Sequence, residues 1–140
     1  MADLPESPET PEFATDMGIE FLGIIDGAMT LQLVLEPKHM SRAERAHGGV
    51  LFTMLDSVLG RAILTELPQG KGCATVEIKV NYFRPVQSGV ITARGWKREL
   101  TKSLGYAEGE ITNEEGKLLA KASGTFFLTE TFRQQDRERV

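Results

Sequence analysis

The chain has 140 residues, 41% hydrophobic and 26% charged, which bounds it to one globular domain large enough to hold its own core. Its net charge is −4 with no block of Lys or Arg, so the usual electrostatic basis for binding a phosphate polymer is missing and nucleic acid is not an expected partner. The single Cys73 rules out an intrachain disulfide, no Cys/His spacing suits zinc, and no segment approaches the roughly 20 apolar residues of a membrane span.

Residues 1–15, with Pro5, Pro8 and Pro11 among Glu and Ser, read as a flexible arm, and structure is expected to begin near Asp16. The start has no basic region followed by an apolar run, so it reads as neither a secretory signal nor a transit peptide, and a reducing, cytoplasmic location is expected. Residues 18–25 and 28–35 are two strand-like runs around Asp26-Gly27; in the second, Met29, Leu31, Leu33 and Leu35 alternate with Thr30, Gln32 and Val34. Asp-Gly between two such runs signals a hairpin. Pro37 ends the second strand, and residues 38–46 form a polar loop.

His47-Gly48-Gly49 then opens a long apolar run that ends before Pro68-Gln69-Gly70. On a helical wheel Thr53, Asp56, Ser57, Gly60 and Arg61 form one polar stripe, while Leu51, Phe52, Met54, Leu55, Val58, Leu59, Ala62 and Ile63 cover a larger core face. The first turn of a helix leaves N–H groups without internal partners and carries partial positive charge, which suits an oxygen becoming negative. Glycines there let a substrate approach the backbone. Asp56 stands two turns further on, about 12 Å along the axis.

Four more strands are expected. In residues 73–84, Ala74, Val76, Ile78, Val80 and Tyr82 alternate with Thr75, Glu77, Lys79 and Asn81, and Pro85 closes the run. Residues 89–98, 103–112 and 117–128 follow across short polar turns, which reads as an antiparallel meander. One parity of these last strands carries small residues: Ala93 and Gly95, Gly105, Ala107 and Gly109, then Ala120, Ala122 and Gly124. Together they would form a trough for the apolar helix. About six antiparallel strands wrapped around one long central helix is the α+β hotdog fold. The domain is expected over residues 16–128, with 129–140 as a charged C-terminal tail.

The His47-Gly48-Gly49 entry, the apolar helix with Asp56, and the strand Thr75-Val76-Glu77-Ile78-Lys79-Val80-Asn81-Tyr82-Phe83-Arg84-Pro85 resemble hotdog-fold acyl-CoA thioesterases of the phenylacetate-degradation (PaaI-like) type. The resemblance runs over residues 17–128. It implies that the Gly48 N–H polarises the thioester carbonyl, that Asp56 is general base or nucleophile, and that His47 shapes the site beside the thioester. It also implies that Thr75, from a neighbouring subunit, holds the attacking water. Family members often carry Asn six residues before the His; a gapless match puts Ser41 there, a donor of shorter reach. Gly49 would border the substrate, and Arg84 and Lys102, with Lys97 and Arg98, are candidates for the phosphates of CoA.

The chemistry needs an oxyanion donor and an activated water, and no metal or redox cofactor. Each residue also has a plainer reading: Asp56 as an exposed acid of the polar stripe, His47 as a cap, the glycines as packing residues, Thr75 as a strand threonine and the basic residues as solvated surface. Two other functions stay open. One is a hotdog-fold dehydratase using His39 or His47 with Asp56, although that family's His-Phe-Pro-Gly entry is absent; the other is a non-catalytic acyl-CoA binding module. Open sheet edges and the outward polar stripe of the helix make a homodimer or homotetramer with sites between subunits the expected assembly.

Overall fold

The computed structural model describes residues 12–130. A short helix α1 (Glu12–Met17) leads into β1 (Glu20–Ile25) and β2 (Ala28–Val34); the long helix α2 (Gly48–Leu64) follows, then β3 (Lys71–Tyr82), β4 (Val90–Leu100), β5 (Leu104–Thr112) and β6 (Leu118–Glu130). The strands form one antiparallel 6-stranded sheet curled around α2, which is the hotdog fold.

Local chemistry accounts for the elements. Asp26 and Gly27 both take positive φ, 49° and 78°, as a tight two-residue hairpin turn between β1 and β2 requires. Gly18, at φ 86°, stops α1: its N–H donates to the Thr15 carbonyl while Ile19 N–H donates to Ala14. Along α2, Met54, Leu55, Val58, Leu59 and Ile63 are fully buried, and each such side chain removed from water contributes about 1.5–3 kcal/mol. The small-residue trough forms as expected. A Cβ on Gly95 would stand 2.9 Å from the Val58 carbonyl oxygen, and one on Gly109 would stand 2.5 Å from Leu59 Cδ1. Glycine at these positions sets how closely the helix and sheet approach.

Four expectations are corrected. Residues 12–15 belong to α1 rather than to a loose arm, because Ala14 is buried in the core; residues 1–11 lie outside the described residues. Thr129 and Glu130 extend β6, opposite Gly72 and Lys71, so the charged tail could begin only at residue 131, also outside the described residues. Phe52 is 39% exposed rather than core. The last four strands are not a simple meander, since the sheet order is β1-β2-β4-β5-β6-β3. Only β4, β5 and β6 follow one another; β3 forms the far edge against β6.

The β3–β4 connection therefore crosses the start of α2. It is held by Phe83 and Arg84 N–H groups on the Leu119 carbonyl, by Ala46 N–H on Val86 and by Leu35 N–H on Gly89. The loop before α2 is tied equally firmly. His39 is buried, accepts from Glu36 N–H at Nδ1 and places Nε2 2.5 Å from the Met17 carbonyl, so its proton sits on Nε2.

Candidate active site

The N-terminus of α2 is built around its three opening residues. His47 is the cap, and its Nδ1 accepts the Gly49 N–H at 2.8 Å. That bond places the imidazole proton on Nε2. It also occupies the Gly49 N–H, whereas the Gly48 N–H meets no acceptor among the described residues. Tyr82, the last residue of β3, donates its hydroxyl to the Gly48 carbonyl at 2.7 Å and pins the helix end to the sheet. Burial raises the Tyr82 pKa, which keeps this donor protonated. Around Gly48 opens a 330 Å³ cleft lined by Arg45, Leu51, Tyr82, Arg84 and Val86. Arg84 donates one N–H to the Leu118 carbonyl, 2.7 Å away.

Asp56 lies in a second cleft of 230 Å³, between α2 and β3 and under α1. Its Oδ1 accepts the Thr75 hydroxyl at 2.8 Å. The strand's alternation had put Thr75 on the opposite face from Ile78 and Val80, but β3 carries a bulge between Thr75 and Glu77. The extra residue, Val76, is 61% exposed and resets the parity. Cys73 and Thr75 consequently face the helix of their own chain, as Ile78, Val80 and Tyr82 do. Cys73 reaches the Gly60 carbonyl at 3.7 Å, and burial together with the nearby Asp56 charge raises its pKa.

Gly48 and Asp56 therefore serve different clefts of one chain. Other candidate residues are placed less favourably. Ser41 turns its hydroxyl into its own loop, on the Arg45 carbonyl at 3.0 Å. Lys102 is exposed in the β4–β5 turn, next to Gly105, which packs on Ile63 near the far end of α2 from Gly48. Arg98 pairs with Glu108 across β4 and β5. Sequence patterning overlooked Tyr82 as an anchor, although it ends the apolar parity of β3. It also overlooked Arg61 and Phe21, which meet in the Asp56 cleft with the guanidinium carbon 3.8 Å from the ring centroid. No helix of the described residues is long and apolar enough to cross a membrane.

The profile of the thioesterase superfamily matches residues 44–120. Acyl-coenzyme A thioesterase 13 of Mus musculus is 31% identical over 102 residues, 69% of this chain and 70% of that protein. Among solved structures, a variant of the phenylacetic acid degradation protein PaaI from Thermus thermophilus is similar with a TM-score of 0.74 and 27% identity, over 83% of this chain and 97% of that one. A Bacillus halodurans protein solved with CoA gives a TM-score of 0.76 and 26% identity, over 83% and 74%. The profile match takes in more than half of the sequence and spans the helix and strand that carry Gly48, Asp56 and Thr75, and so the chain, which is similar in structure to PaaI, belongs to the thioesterase superfamily.

Proposed function

We propose that this thioesterase hydrolyses an aromatic or medium-chain acyl-CoA to the free acid and CoA, with Asp56 as general base and the Gly48 N–H as oxyanion donor. The observation that carries the proposal is the Thr75–Asp56 hydrogen bond inside an aromatic-lined cleft. It holds one carboxylate oxygen and leaves Oδ2 for a water. That water attacks the thioester carbonyl carbon as Asp56 takes its proton. The oxyanion rests on the Gly48 N–H, and collapse breaks the C–S bond as the proton passes to the leaving thiolate. A preorganised donor of this kind is worth about 3–4 kcal/mol.

Gly48 and Asp56 are separated by about 12 Å of helix, too far for one carbonyl and its water. The working unit is therefore a dimer or tetramer in which Gly48 faces Asp56 of the partner subunit. CoA is favoured as carrier by the relative solved with it and by Arg84 beside the Gly48 cleft. Ser41 and Lys102 would contribute only from other loop positions or another copy. A cytoplasmic location suits the half-buried Cys73 thiol. The dehydratase reading loses His39, whose two ring nitrogens are both engaged in holding the loop.

Thiol release from aromatic and aliphatic acyl-CoA thioesters tests this. Asp56→Asn is expected to lose ~10²-fold or more. Equal activity of variant and wild type removes Asp56 from the mechanism, and binding without turnover by the wild type favours the non-catalytic module. A single turnover in ¹⁸O-water should put label in the product acid; label in Asp56 instead makes it the nucleophile.

A further inference from the structure

The Asp56 cleft contains a cation that hydrolysis of a thioester does not use. Arg61 lies on the polar stripe of α2, five residues beyond Asp56, or about 7.5 Å along the axis. Its guanidinium stacks on the Phe21 ring. Among the described residues it makes no ion pair or hydrogen bond, whereas Arg84, Arg94 and Arg98 each donate to a carbonyl or carboxylate. Phe13, Leu64 and Phe126 supply apolar walls around it.

We propose that Arg61 makes this cleft selective for acyl groups ending in a carboxylate, so that the preferred substrates are CoA monothioesters of dicarboxylic acids. The inference rests on Asp56 marking the thioester end of the cleft. Stacking uses the face of the guanidinium and leaves its in-plane N–H fork for an acceptor, and a carboxylate is the acceptor whose geometry that fork matches. Burial lowers the Arg61 pKa, and among the described residues no carboxylate pairs with the guanidinium to offset it. A purely hydrocarbon acyl group filling the cleft would strip further water from the guanidinium and return no hydrogen bond. A terminal carboxylate supplies both the charge and the acceptors, and the apolar walls take the methylenes between. Selectivity then comes as much from the penalty on neutral chains as from the gain on charged ones.

Adipyl-CoA and hexanoyl-CoA have the same chain length and differ in the terminal carboxylate. The wild type is expected to show the higher kcat/KM with adipyl-CoA. The adipyl-to-hexanoyl ratio should fall about 10-fold or more in Arg61→Met and by less in Arg61→Lys. A wild type that prefers hexanoyl-CoA, or an Arg61→Met that lowers both substrates equally, overturns the proposal. Calorimetric binding of the same two thioesters to Asp56→Asn, with and without Arg61→Met, reads selectivity apart from turnover. If that binding favours adipyl-CoA through Arg61 while the wild type hydrolyses neither, the hydrolase reading fails and the recognition stands; if it favours hexanoyl-CoA or ignores Arg61, the recognition fails.

Discussion

A glycine is an unusual candidate for catalysis because its contribution would be a backbone N–H, which ordinary side-chain substitution cannot remove. Proline can remove it. Gly48 is the first residue of α2, where proline's fixed φ is at home and its missing N–H breaks no helical bond. His47, at φ −61° and ψ 136°, already has the extended backbone that precedes proline. An added Cβ would meet the Tyr82 ring at 3.5 Å, ordinary van der Waals contact. Gly48→Pro is therefore expected to fold with a melting temperature close to wild type while kcat drops ~10²- to 10³-fold. Unchanged kcat in steady-state thiol release would take the Gly48 N–H out of the mechanism. Both Gly48 and Asp56 were legible in the sequence, one as the opening of an apolar helix and the other as a lone carboxylate on it. The orientation of Thr75 was not, because a bulge at Val76 looks in sequence like unbroken alternation.

Between elements, α2 lies close against the sheet at Gly95 and Gly109. The small residues of β4, β5 and β6 were visible in sequence as a shared parity, and the helix does settle on them. Gly95 is the sharpest test, because its added Cβ would press on the Val58 backbone, which has no rotamer to escape into. Gly95→Ala is expected to cost about 1–3 kcal/mol through displacement of the helix. In a thermal melt this should appear as a fall of several degrees, about 2–8 °C per kcal/mol for domains of this size range. A melt that matches wild type would mean that α2 is free to slide over the trough. The place of β3 was not legible. Its alternation announces a strand but carries no information about which neighbour it will pair with, and the choice of β6 over β4 depends on the path of the 83–89 connection across the helix end.

At the scale of the whole molecule, β1 and β3 are the edges of the sheet among the described residues, and the 12-residue β3 is long enough to pair with a second copy. The proposed division of labour makes assembly a catalytic requirement that can be measured. Asp56→Asn and Gly48→Pro should each be nearly inactive alone. Mixed and allowed to exchange subunits, they should regain about a quarter of wild-type activity, since half of randomly formed dimers are mixed and each has one intact site and one doubly altered site. A mixture as inactive as its parts, with exchange verified by mass, would place both groups within one subunit.

The sequence by itself determined the order of the six strands and the long helix, most of that helix's buried face, the Asp26-Gly27 turn and the identity of the two principal candidate groups. These are written in local patterns: an apolar period, a glycine pair and a carboxylate out of place. Only the tertiary structure decided that Thr75 meets Asp56, that Tyr82 anchors the start of α2, that His47 takes the Gly49 N–H and leaves Gly48 open, and that Arg61 enters the same cleft as Asp56. Apart from the short-range His47 cap, each of these contacts joins residues on different elements or a long side chain to a distant ring. Strand order, bulges and the docking of α1 set them, and no periodicity in the chain encodes those long-range choices.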